Sequence, residues 1–314
     1  MALDTEFDVI IAGGGIAGLT AAVTAARLGR KTLVLTGDVP GGQLMSIEKI
    51  DGYPGFPEGV PGYDLCPMLQ DQAAAAGAEF MITGLERLVA QDGGWRVTTG
   101  EGSILGRAVI VAMGSSLKKL NVPGEERLTG NGVSHCASCD APLFRDQVVA
   151  VVGGGDSAMQ EALTLAAFAS KVIILHRGDA LTGQACYRDR VIARQKIDIR
   201  FNTAVTEILG EAKVTGLRTR KSEGAVTDLE VAAIFAYIGL QPNTAVLQDR
   251  LSLDLDLAGR IPTDGWMRSE LAGVCAAGTV RCQSPCRAVS AAGDGASAAV
   301  TVDRYLMDGS WREG

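Results

Sequence analysis

Cys136-Ala137-Ser138-Cys139-Asp140 places two thiols three residues apart with a carboxylate directly behind them. That spacing suits a reversible disulfide. A turn leading into a helix brings the sulfurs within bonding reach, and the helix terminus depresses a thiol pKa. One thiolate attacks a disulfide, or is attacked, and the second thiol resolves the mixed disulfide that forms. Asp140 is placed to give or take the proton; the competing reading is that it caps the turn. A Cys-x-x-Cys is also half of a zinc site, but no second Cys-x-x-Cys or His pair completes one, so no metal is expected. His135 beside Cys136 either tunes the thiolate or is an ordinary half-buried histidine.

Shortly after Asp140 comes Gly153-Gly154-Gly155-Asp156-Ser157-Ala158, preceded by the apolar run Val148 to Val152. A matching turn, Gly13-Gly14-Gly15-Ile16-Ala17-Gly18, follows Phe7 to Ala12 and opens an Ala-rich segment. In such a turn the first glycine (Gly13, Gly153) makes the tight bend. The second (Gly15, Gly155) lets the backbone approach a pyrophosphate, and the third position (Gly18, Ala158) allows close helix–strand packing. The helix N-terminus then stabilises the phosphate charge. Each unit reads as strand–turn–helix–strand, the second closing with Lys171 to Leu175. The expected fold is α/β, with two Rossmann-like three-layer domains. A redox dithiol between two dinucleotide folds points to flavin chemistry on a disulfide.

The rest of the chain agrees with that class. At 314 residues it is long enough for two cores. A net charge of −7 without a basic block argues against nucleic acid or an anionic membrane as partner. The polar start, Met1 to Phe7, lacks the pattern of a signal peptide, and no apolar run approaches the roughly 20 residues of a membrane helix. A cytoplasmic setting is expected, in which seven cysteines stay reduced unless a pair is catalytic. Cys66, Cys186 and Cys275 read as small hydrophobic fillers. Leu120 to Gly132 and Gln241-Pro242-Asn243 look like domain crossings. Trp311 reads as part of a frayed terminus.

These residues together resemble the low-molecular-weight thioredoxin reductase family over nearly the whole chain. The motifs that carry the resemblance are Gly13 to Gly18, Gly41-Gly42-Gln43-Leu44, Tyr53-Pro54-Gly55, Cys136 to Asp140, Gly153 to Ala158, Gly239 with Pro242-Asn243, and Arg287-Ala288. The resemblance implies a discontinuous FAD domain, residues 1–118 and 243–314. It implies a pyridine-nucleotide-like domain over 119–242 that carries the dithiol, and a homodimer. The residues implied at FAD are Gly13, Gly15, Gly18, Gly42, Gln43, Gly278, Thr279, Arg287 and Ala288. Cys139 would face the flavin and Cys136 the substrate. Gly153, Gly155, Ala158 and Arg177 would serve a nicotinamide nucleotide.

The departures point elsewhere. Where the family holds a 2′-phosphate with His-Arg-Arg and a third Arg, this chain has His176-Arg177-Gly178-Asp179-Ala180-Leu181-Thr182. Each lost charge-assisted contact costs about 1.5–3 kcal/mol, which argues against NADPH and leaves NADH equally in question, although Arg188 or Arg190 stands near enough in sequence to substitute. The family's Gly-Asp at the ribityl chain is Gly278-Thr279. Cys282-Gln283-Ser284-Pro285-Cys286 supplies an extra cysteine pair, read as an accessory redox or structural disulfide. The favoured expectation is therefore the dithiol oxidase branch, the enzymes that close the disulfides of gliotoxin, holomycin and romidepsin-type natural products. Such an enzyme takes a small-molecule dithiol, passes electrons through Cys136/Cys139 to FAD and on to oxygen. The alternatives are a reductase of a thioredoxin-like protein fed by NAD(P)H, a reductase fed by ferredoxin or another carrier, and a non-enzymatic nucleotide sensor.

Overall fold

In the computed structural model, which describes residues 6–248 and 253–311, the chain divides into two compact units. One comprises Met1–Ser116 and Gln241–Gly314, the other Leu117–Leu240.

The first unit opens with β1 (Glu6–Ala12), α1 (Ile16–Arg27) and β2 (Thr32–Leu35). It continues through α2 (Gly62–Ala75), β3 (Glu79–Met81), β4 (Arg87–Gln91), β5 (Gly94–Thr99) and β6 (Gly102–Val111). Its strands order as β3-β2-β1-β6, parallel. The hairpin β4–β5 pairs antiparallel with the first half of β6. Val9, Ile10 and Ile11 are buried on both sheet faces, which is why β1 reads as a continuous apolar run and not as an alternation.

The chain crosses to the second unit at β7 (Ser115–Leu117). There follow α3 (Glu125–Leu128), β8 (Val133–Ser134), α4 (Ala137–Asp140), β9 (Val148–Val152), α5 (Asp156–Leu165) and β10 (Lys171–Leu175). Then come α6 (Ala185–Ala193), β11 (Ile197–Arg200), β12 (Thr203–Leu209), β13 (Gly216–Lys221), β14 (Val226–Glu230) and β15 (Ala233–Ala236). A five-stranded parallel sheet runs β11-β10-β9-β15-β8, and β12-β13-β14 form a separate antiparallel sheet. The crossing strand β16 (Leu240–Pro242) pairs with β7. The first unit is completed by α7 (Ala245–Gln248), by β17 (Val274–Ala276), parallel to β6, and by α8 (Ala288–Asp308).

Both sheets thus have the doubly wound, Rossmann-like arrangement expected. Helices α1 and α8 pack at close range because Gly295 has no side chain: a Cβ there would overlap the Ala17 carbonyl. The C-terminal tail is not frayed as far as Trp311. Its indole is 8% exposed, donates to the Ser269 carbonyl at 3.1 Å and packs edge-on against Tyr305 at 5.2 Å. An indole with both an apolar partner and an acceptor is worth burying even at a chain end. Among the described residues, no helix is long and apolar enough to cross a membrane.

Candidate active site

The first glycine turn forms a cradle whose dimensions leave no choice of residue. Gly13 has φ +122°, and a Cβ on it or on Gly18 would run into backbone carbonyls, of Ala112 and Gly13 respectively. Gly14 lies 2.9 Å, measured from a Cβ, from Thr36 Cα. At Gly15, by contrast, nothing lies within 4 Å of such an atom. Gly15 caps α1 without a side-chain hydrogen bond, and the first turn has no acidic residue. The leading N–H groups of α1 therefore face an open, uncharged cradle of the kind that takes a pyrophosphate.

Other expected residues of this unit gather on the same turn. The Gly41 N–H donates to the Gly14 carbonyl at 2.9 Å, and Gly42, with φ +64°, comes within 3.3 Å of Gly15 Cα as judged from a Cβ. Gln43 is exposed on the following 3-10 turn. Gly278 (φ +80°) would bring a Cβ within 3.1 Å of the Ala17 side chain. Thr279 Oγ1 accepts from Ser115 Oγ at 3.0 Å, so the hydroxyl that replaces a carboxylate is held in place. Arg287 caps α8, its carbonyl accepting from Ser290 Oγ at 2.9 Å, and Ala288 begins that helix.

Beneath Gly278, Arg281 donates two hydrogen bonds to the buried Asp294 carboxylate, from Nε and Nη2, both at 2.7 Å. The same carboxylate accepts from the Gly278 N–H at 3.1 Å. These residues fit FAD by the chemistry of the cradle: an open helix N-terminus for the diphosphate and a pinned glycine turn beside it.

In the second unit, Cys136 and Cys139 are joined as a disulfide with Cα atoms 5.3 Å apart. Cys136 caps α4, and its Sγ accepts from the Cys139 N–H at 3.2 Å. Cys139 is exposed and Cys136 half-buried, so the more accessible sulfur is the one expected to face the flavin. Asp140 ends α4, its N–H donating to the Cys136 carbonyl at 3.1 Å. His135 Nδ1 lies 3.4 Å from the Ala236 carbonyl.

Two residues that no spacing rule singled out hold this turn. Glu161 on α5 accepts from the Ala137 N–H at 2.9 Å and from Tyr237 Oη at 3.2 Å. The signal for Glu161 was a charge on the buried stripe of α5, beside Ala158, Ala162 and Leu165.

The second glycine turn keeps its geometry. Gly153 has φ +140°, a Cβ there would overlap the Tyr237 carbonyl, and Gly155 faces open space. Ala158 is fully buried. The loop of altered clamp residues is tied down onto this turn: Thr182 N–H donates to the Gly154 carbonyl at 2.8 Å, and Gln184 N–H donates to Asp156 Oδ1 at 2.6 Å. The His176 ring covers the turn, so that a Cβ at Gly154 would come 2.5 Å from Nδ1 and one at Gly178 2.8 Å from Nε2. A side chain at 178 would therefore require the His176 ring to shift. Arg177, Asp179, Arg188 and Arg190 are exposed around this loop.

The structure does not join the extra cysteine pair. Cys282 and Cys286 are both free thiols. Cys282 donates to Asp256 Oδ2 at 3.2 Å, and burial followed by that carboxylate pushes its thiol up to about 11. Cys286 is exposed. Of the three cysteines read as fillers, Cys66 and Cys275 are buried, burial pushing Cys66 up to about 11. Cys186 is exposed on α6, because that helix turns Tyr187 and Val191 inward and leaves position 186 outside. Among the described residues, no cluster of three or more His, Cys, Asp or Glu side chains gathers as a metal site.

Comparison with known proteins gives the family. Residues 7–295 match the pyridine nucleotide-disulphide oxidoreductase family. The chain is 40% identical to the thioredoxin reductase of Mycolicibacterium smegmatis, over 97% of this chain and 98% of that protein. It is 36% identical to that of Treponema pallidum, with the same coverage. The crystal structure of Lactococcus lactis thioredoxin reductase superimposes with a TM-score of 0.93 at 35% identity, covering 96% of this chain and 99% of that one. The chain therefore belongs to the pyridine nucleotide-disulphide oxidoreductase family, as a flavin-dependent disulfide oxidoreductase.

Proposed function

We propose that the chain reduces the disulfide of a thioredoxin-like protein, using electrons from a reduced nicotinamide. The observation that carries this reading is the Cys136–Cys139 disulfide, half exposed on a short helix directly ahead of an intact second glycine turn. The names of the full-length relatives support a reductase over the oxidase that the altered clamp suggested. FAD, held by Gly13, Gly15, Gly18, Gly42, Gly278 and Thr279, supplies two-electron chemistry between the nucleotide and the disulfide.

The chain's own residues do the rest. Once Cys136 and Cys139 are reduced, one thiolate attacks a sulfur of the partner's disulfide. A mixed disulfide forms and the partner's other sulfur leaves as a thiolate. The second cysteine then displaces the remaining partner sulfur. The partner departs as a dithiol and the Cys136–Cys139 bond is restored. The Cys139 N–H stabilises negative charge on Cys136 Sγ during these exchanges. Asp140 is the group on the same turn that can hand the leaving thiolate a proton.

A second reading, the dithiol oxidase, rests on Gly178, Asp179 and Thr182 in place of cationic residues. Steady-state assay separates the two. With NADPH or NADH and oxidised thioredoxin, nucleotide oxidation proportional to thioredoxin thiols supports the reductase. Oxygen uptake driven by a small dithiol, with no nucleotide oxidation, overturns it in favour of the oxidase.

A further inference from the structure

The Glu161 carboxylate connects three parts of the second unit. It accepts from the N–H of Ala137, the fully buried residue that follows Cys136, at 2.9 Å. It also accepts from the hydroxyl of Tyr237, which follows β15 and is 8% exposed, at 3.2 Å. The first N–H groups of α4 are thus shared between a carboxylate and a sulfur, since the Cys139 N–H goes to Cys136 Sγ. Burial, and then the negative charge of Glu161, pushes the Tyr237 phenol far above its ordinary value, so it remains a proton donor. A negative charge therefore sits one residue from the disulfide, partly offset by donors that include the Ala137 N–H and the Tyr237 hydroxyl.

We propose that Glu161 is a positioning residue that sets the redox equilibrium of the Cys136–Cys139 couple: it pins the turn through Ala137, and its charge disfavours the reduced, thiolate-forming pair. This rests on the reading of Cys136–Cys139 as the redox pair. Reduction breaks one S–S bond, takes up two electrons and two protons, and yields two thiols. With dithiothreitol as reductant, its two thiols supply both and close into the cyclic disulfide. Glu161→Gln keeps an acceptor for Ala137 and removes the charge, so the reduced pair gains. Tyr237→Phe removes a donor and leaves the charge less offset, so the disulfide gains. A role confined to holding the turn has no reason to move the two variants in opposite directions.

The test equilibrates the full-length protein at pH 7 with defined ratios of reduced and oxidised dithiothreitol. Thiols are then alkylated, and the peptide carrying Cys136 and Cys139 is quantified by mass. Glu161→Gln is expected to shift the equilibrium about tenfold toward the dithiol, a rise of about 30 mV for a two-electron couple. Tyr237→Phe is expected to shift it about threefold toward the disulfide. Unchanged equilibria in both variants, or shifts of the same sign, would overturn the proposal. Dithiothreitol addresses the cysteines without the flavin. Failure of the redox-pair reading itself would show differently, as flavin reduction that leaves the Cys136–Cys139 bond intact.

Discussion

Truncating Asp294 to alanine removes the charged partner of a buried guanidinium and leaves it the neutral Cys282 carbonyl, which accepts from Arg281 Nη1 at 2.9 Å. The Arg281 and Asp294 side chains are 13% and 8% exposed. The pair is bidentate, with both distances 2.7 Å, and the same carboxylate takes the Gly278 N–H. Breaking a buried pair by removing one partner costs about 3–5 kcal/mol, because a desolvated charge is left without compensation. For a folding unit of roughly 150–250 residues, each kcal/mol lowers Tm by about 2–4 °C. Asp294→Ala should therefore melt about 6–20 °C below the parent. Asp294→Asn keeps an acceptor but loses the charge, and should lose about 1.5–3 kcal/mol. The turn at Gly278 and Thr279 is part of the cradle, so flavin content should fall alongside stability. Added FAD should restore part of the loss, about 2.7 kcal/mol at a hundredfold excess over Kd. Thermal melts with flavin absorbance near 450 nm measure both. A Tm within about 2 °C of the parent and full flavin content in Asp294→Ala would refute the reasoning.

Other expectations follow from the same geometry. Cys136→Ser and Cys139→Ser should each abolish disulfide turnover while flavin stays bound, as read by activity and the visible spectrum. Gly18→Ala places a methyl on the Gly13 carbonyl, so it should yield protein with little flavin, as read by cofactor content after purification. Asp179→Arg exchanges a negative for a positive charge on the exposed clamp loop. It should lower the KM for NADPH relative to NADH by about tenfold or more, the value of one charge-assisted phosphate contact. Thiol labelling should find the exposed Cys186 and Cys286 first. Cys282, raised to about 11, should stay protonated at neutral pH and label faster as pH climbs through 9 and 10; pH-independent labelling of Cys282 would contradict that.

What the sequence revealed was what short-range spacing encodes. The two glycine turns and the Cys-x-x-Cys are local: Gly13, Gly18 and Gly153 are each blocked by a backbone carbonyl, while Gly15 and Gly155 face open space. The boundaries of β1, β9 and β10 were legible because their residues are buried on both faces. What escaped was set by distant partners. Helix α6 escaped because it buries only Tyr187 and Val191, too few for a periodic signal. Strand β14, Val226–Glu230, has no buried residue and is fixed by pairing with β13. Glu161 was hidden inside a helix whose role had already been assigned to its first turn. The tail was misread because nothing in the sequence near Trp311 announces Ser269 or Tyr305 as its partners. Gly178 read as loss of a cation, and the structure adds that the His176 ring packs close to that position, 2.8 Å from a Cβ built there.

The central claim is that Cys136–Cys139 exchanges electrons with the flavin. An anaerobic dithionite titration of the flavin-loaded protein tests it without assuming any nucleotide or partner. The parent should take up four electrons, two for the flavin and two for the disulfide, and Cys139→Ser should take up two. A parent that takes up only two electrons, with the flavin bleached and the Cys136–Cys139 bond still intact, would contradict the account.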